Sequence, residues 1–326
     1  MKTPLLTGLL ATTALAFGTG AALSQAADYP ARPVTLVVGF APGGPADTLA
    51  RLVAQELSED LGQPVVVENK PGAGSTIAAR EVAHADADGY TLLFVTSGYS
   101  GSFAYYPSLD FTAEAFTGVS GIASTPIVIT TGPEAPYADL QGLIDAARAE
   151  PDTLTYAAGG GGATLTALAA ATFLDAAGLT AIPVSYGGSG PQNIDLMGGV
   201  LDFAFDTVSG SDSLIDSGQI RALAVTSAER VQTLADTPTV AEAAMPEFEP
   251  ILGWFGLLAP AGTDAEIVAQ LNASVATALE SDAVLTRLAA TGLDPMSLDA
   301  AGFDAFIARE TERWGGLITE LGLSAE

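Results

Sequence analysis

Apolar and polar positions follow two rhythms along this chain. Short runs rich in Val, Ile, Leu and Phe at 34–40, 65–68, 91–96, 127–131, 155–158, 182–185, 200–205, 221–226 and 255–259 predict strands. Longer amphipathic stretches separate them. The stretch 48–61 places apolar residues at 49, 52, 53 and 57, one face of a 3.6-residue period. Helices are also predicted over 75–83 with Ser75 as a cap, 137–149, 164–177, 193–198, 211–216, 264–280 and 297–321. Repeated strand-then-helix units argue for an α/β fold with largely parallel sheets. Two seams, near Ser124-Thr125-Pro126 and near Glu249-Pro250, divide the chain. If it leaves one lobe at the first and returns at the second, lobe 1 is 27–126 plus 252–326 and lobe 2 is 127–251. Ligands of open α/β sheets bind beyond the carboxyl ends of strands, so two such lobes would enclose a cleft.

The first 26 residues read differently. Met1-Lys2 is a short positive start and 5–16 a mostly apolar run, with small residues at Ser24 and Ala26. This pattern predicts a secretory signal peptide cleaved near Ala26 and a soluble exported protein. The run is too short for a spanning helix, which needs about 20 apolar residues.

Composition removes several classes. The chain has no Cys and 1 His, excluding disulfides, thiolate-ligated metal and Cys nucleophiles. His84 sits in a polar loop with Asp86, Asp88 and Gly89, so a Ser-His-Asp triad is not expected. That loop is half a calcium loop at most and lacks the closing Glu. No Walker A or G-x-G-x-x-G spacing occurs. With 38 acidic against 11 basic residues, the net charge is −27 and no basic patch for nucleic acid can be assembled. The expectations are no metal, no cofactor and no enzymatic activity.

Two Gly-rich turns carry the candidate chemistry. Pro42-Gly43-Gly44 joins the strand at 34–40 to the helix at 48–61. The stretch Ala158 to Thr166, with Gly160, Gly161, Gly162, Ala163 and Thr164, does the same in the second lobe. Bare glycine backbone and a helix N-terminus together favour an anion. No Lys, Arg or His occurs between Arg148 and Arg221. An anion gripped by that lobe must therefore use backbone N–H groups, hydroxyls, dipoles and water, which favours a carboxylate over a phosphate. Asp47 reads as a dipole-stabilised cap or, through a water, as a ligand contact. Asp206 and the aromatic set Tyr99, Phe103, Tyr105 and Tyr106 also follow strands, where cleft residues or packing residues sit.

The whole pattern resembles the receptors of tripartite tricarboxylate transporters, of the TctC or Bug type. The resemblance rests on Tyr29-Pro30, Arg32-Pro33, Phe40-Ala41-Pro42-Gly43-Gly44 with Asp47, the run 61–74 ending Asn69-Lys70-Pro71-Gly72-Ala73-Gly74, Asp88-Gly89-Tyr90, Tyr186 with Gly188-Ser189, 221–227, 238–243 and 254–263. It implies a two-lobed periplasmic binding protein, type II-like, that closes on an organic carboxylate. The cargo would be a di- or tricarboxylate or an aromatic carboxylate, delivered by a monomeric receptor to a large and a small membrane subunit. A receptor feeding a membrane sensor is the alternative. The candidate ligand-binding residues are Phe40, Pro42, Gly43, Gly44, Asp47, Ser97, Tyr99, Ala158, Gly160, Gly161, Gly162, Ala163, Thr164, Tyr186 and Asp206. This chain has Ala158, Gly161, Ala163 and Thr166 where the family usually places Ser, Asn or Thr and often a His, leaving fewer side-chain donors and the cargo open.

Overall fold

The apolar stripe at 49, 53 and 57 does what its period dictates. Leu49, Val53 and Leu57 are buried and, with Ala46, Ala50 and Ala54, pack on Val34, Leu36 and Val38 of the first strand. Burying each such Leu or Val contributes about 1.5–3 kcal/mol. The computed structural model in which this is seen describes residues 29–40, 42–43, 45–159, 164–186, 189–320, 322 and 324; the signal-peptide expectation lies outside them.

In chain order the elements are β1 (Val34–Val38), α1 (Pro45–Leu61), β2 (Val65–Asn69), α2 (Thr76–Ala83), β3 (Thr91–Thr96), α3 (Gly98–Tyr105), β4 (Phe116–Thr131), α4 (Leu140–Ala149), β5 (Thr155–Gly159), α5 (Leu165–Ala177), β6 (Ile182–Tyr186), α6 (Ser189–Met197), β7 (Phe203–Thr207), α7 (Val208–Asp216), β8 (Arg221–Val225), α8 (Val240–Ala243), β9 (Leu252–Pro260), α9 (Ala265–Glu280), α10 (Asp282–Ala290), β10 (Asp294–Pro295) and α11 (Ala300–Glu320). Among the described residues no helix is long and apolar enough to cross a membrane.

Parallel pairing holds β2–β1–β3 together and, separately, β6–β5–β7. The two sets meet through β4 and β9, whose pairs are all antiparallel. Strand β4 is 16 residues long and changes partners between Pro126 and Ile127. Phe116 to Pro126 pair with β9; Ile127 to Thr131 pair with β7 and β8. The expected seam at Ser124-Thr125-Pro126 is thus a continuous crossing strand. Pro126 has no N–H to offer a ladder, and it falls where the ladder is being exchanged.

The sequence pattern missed the first half of β4, because Gly118, Ser120 and Gly121 do not alternate as strand residues do. Tertiary packing supplies the reason. A Cβ at Gly118 would press on Asp304, one at Gly121 on Met296, and one at Gly256 of β9 on Phe303. The glycines let α11 and the segment before it lie directly on the crossing strands. Helix α11 then reaches both cores. Phe303 and Ile307 pack with Val37, Tyr99 and Trp254, whereas Trp314 and Ile318 pack with Phe173, Phe203 and Phe205.

Candidate functional site

The turn after β1 is shaped by Asp47. Its Oδ2 accepts from the Gly43 N–H at 2.8 Å and from Arg51 Nε at 3.0 Å. Its Oδ1 accepts from Asn69 Nδ2 at 2.7 Å and lies 2.9 Å from Arg51 Nη2. Asn69 also donates to the Phe40 carbonyl at 3.0 Å, tying β2 to the turn. The Arg51 guanidinium, aided by the Gly43 N–H and Asn69, holds this carboxyl down at about 2. Asp47 is therefore the clamp of the turn, and the Gly43 N–H expected to meet an anion is donated to it. Gly43 has φ +86, so the turn demands glycine there.

The neighbouring loop, Gly72 to Ser75, is a second wall. Ala73, Gly74 and Ser75 have φ of 44, 61 and 74, all left-handed. For Ala and Ser this stores strain of about 1–2 kcal/mol each. Ser75 was expected to cap α2; its hydroxyl instead donates to the Gly39 carbonyl at 3.1 Å, across to the end of β1.

Phe40 and Gly74 line a cavity of about 340 Å³ together with Ser97, Tyr105 and Tyr106. Thr164 and Leu165, at the N-terminus of α5, complete it from the other sheet. None of the described residues that line the cavity carries a charge. Thr164 accepts from the Ala167 N–H at 3.3 Å as the helix cap. The Ser97 hydroxyl makes no hydrogen bond to another described residue, although its backbone N–H is held by the Trp254 carbonyl at 2.9 Å. A 13-residue helix aimed at an uncharged cavity favours an anion there.

On the second sheet Asp206 is buried at the end of β7, and both its oxygens are occupied. Oδ1 accepts from Ser189 Oγ at 2.6 Å and the Thr207 N–H at 2.8 Å. Oδ2 accepts from Ser211 Oγ at 2.8 Å and Asn193 Nδ2 at 3.3 Å. It thereby ties the starts of α6 and α7 to β7. Tyr186, at the end of β6, donates its hydroxyl to Asp195 Oδ2 at 2.7 Å. Burial, then that hydrogen bond, pushes the phenol up to about 12.

The structure brings Phe40, Ser97 and Thr164 to one cavity, with Pro42, Gly43 and Asp47 on the turn beside it. It does not bring Tyr99 there. That ring packs edge-on against Phe103 and Phe116 in the core, and burial raises its phenol. Tyr105 and Tyr106, from the far end of α3, line the cavity instead. Ala158 is the penultimate residue of β5, paired with Ser185. Gly44, Gly160, Gly161, Gly162 and Ala163 lie outside the described residues. Gly74 was legible in the Pro71-Gly72-Ala73-Gly74 run, which marks a loop but not its facing.

Paired α/β sheets joined by crossing strands, with helix starts and turns from both around one cavity, define a two-lobed solute-binding protein. The likeness extends to sequence. Residues 49–323 match the tripartite tricarboxylate transporter family receptor, TctC, and the chain belongs to that family. It is 37% identical over 323 residues to protein BugT of Bordetella pertussis, covering 97% of this chain and 98% of that one. Among solved structures it resembles Rhodopseudomonas palustris Rpa4515 with adipate, at 36% identity and TM-score 0.74, over 91% of this chain and 100% of the other. It also resembles MatC from Rhodopseudomonas palustris with bound malate, at 32% identity and TM-score 0.71, over 89% and 100%. A TctC solute binding protein from Polaromonas shares the architecture at 26% identity and TM-score 0.82, over 90% of this chain and 99% of that one.

Proposed function

We propose that this chain is a periplasmic receptor that captures an organic carboxylate between its lobes and hands it to the large and small membrane subunits of a tripartite tricarboxylate transporter. The carrying observation is the cavity of about 340 Å³, uncharged among the described residues, that the Phe40 turn, the Ser97 hydroxyl and the N-terminus of α5 share. A carboxylate there would be held by dipoles and hydroxyls, with Asp47 and Asp206 shaping the turns on either side. The bound malate and adipate of the two structural neighbours support this class of ligand. Residues 1–26 would serve as the export signal. We place the lobes at 27–126 plus 252–326 and at 127–251, with α11 lying across both. Closure follows if the ligand binds better when both walls touch it. The protein acts by binding and release, not by turnover. Calorimetric titration against di-, tri- and aromatic carboxylates tests this. One-to-one binding of at least one of them is expected; no binding of any at millimolar concentration would sink the reading.

A further inference from the structure

A second cavity, of about 390 Å³, also borders the turn after β1. Phe40 lines the first cavity and Gly43 the second, so one short turn borders both. The second cavity also draws on both lobes: Thr48 from α1 on one side, Thr207 and Ser209 from the start of α7 on the other. Arg287, exposed near the end of α10, lines it as well, and Phe255 and Leu293 give it an apolar wall. Among the described residues no Asp or Glu lines it. Gly292, at φ +62, ends α10 so close to α7 that a Cβ there would lie 3.3 Å from the Ser209 amide nitrogen. The geometry therefore delivers the Arg287 helix turn to the N-terminus of α7.

Arg287 differs from every other cation among the described residues. Arg32, Arg51, Lys70, Arg80, Arg230 and Arg313 each have a carboxylate partner. Arg148 and Arg221 donate to carbonyls, and Arg309 lies over the Phe306 ring. Arg287 alone has no side-chain hydrogen bond, ion pair or ring partner among these residues. In a chain with 38 acidic residues that is not for want of carboxylates. Its place in the last turn of α10 suits the helix dipole, but that role needs no cavity.

We infer that the Arg287 cavity is a subsite for the second, distal carboxylate of a dicarboxylate ligand, with Arg287 as its charge partner and the Thr207 and Ser209 hydroxyls beside it. This rests on the carboxylate reading above. It assigns two unlike anion holders to one ligand: an uncharged cradle for one carboxylate and a guanidinium for the other. A guanidinium matches a carboxylate in shape as well as charge.

The test is calorimetric titration of wild type and R287Q with chain-matched pairs, adipate against hexanoate and succinate against butyrate. Wild type is expected to prefer a dicarboxylate over its matched monocarboxylate by about tenfold or more. In R287Q that preference should collapse to within about threefold, with monocarboxylate affinity unchanged, and R287K should restore part of it. A preference that survives in R287Q, or equal losses for both members of a pair, would overturn the subsite and leave the receptor reading standing. Failure of wild type to bind any carboxylate would overturn the receptor reading itself.

Discussion

Asp47 and Asp206 occupy comparable places in the two lobes, one beyond β1 and the other at the end of β7, and each knits a turn to its sheet. They are satisfied in opposite ways. Asp47 leans on a guanidinium, an amide and one backbone N–H, and Arg51 is itself half-exposed. Asp206 has no cation partner among the described residues; two hydroxyls, an amide and a backbone N–H hold it in the interior. The contrast follows the charge map, since the span around Asp206 from 149 to 220 contains no basic residue. A buried carboxylate without a counter-ion needs every lone pair filled. The second lobe does this with Ser and Asn, at the starts of the helices that carry its loops.

The largest effect is expected at Asp206. D206A strips the acceptor from four donors at once and should cost about 3 kcal/mol in urea unfolding, with carboxylate affinity falling as the starts of α6 and α7 loosen. An unchanged unfolding midpoint would refute its organising role. D47A should cost less, about 2 kcal/mol, because water can take over part of what Arg51 loses. A larger loss at Asp47 than at Asp206 would invert the comparison. Smaller still is the pH effect. Asp47 is held at about 2 against an ordinary 3.8, so its contribution is present above the ordinary value and disappears as pH falls toward 2. The stability gap between wild type and D47N should therefore close over that window. A gap constant down to about pH 2 would contradict the Arg51 clamp.

What could be seen in the sequence depended on how local its cause was. Helix α1 announced itself because Leu49, Val53 and Leu57 repeat at the helical period on a run of 17 residues. Helix α10 did not, because it is 9 residues long and Ser281 serves as both the last cap of α9 and the first cap of α10. Arg287 was invisible as a site residue for the same reason. The Gly-rich turn was legible as a turn, but not that Asp47 would take its Gly43 N–H, since Asn69 and Arg51 converge only on folding. Tyr99, Tyr105 and Tyr106 could not be ranked until α3 existed to turn the first into the core and the other two toward the cavity.

The central claim is that one carboxylate is held jointly by the two lobes beside the Phe40 turn. A crystal structure of the adipate complex tests it most directly. The account predicts a carboxylate within hydrogen-bonding distance of Ser97 and the N-terminus of α5, with Tyr105 or Tyr106 against the ligand. Adipate bound to one lobe alone, or away from both the Phe40 turn and α5, would contradict it.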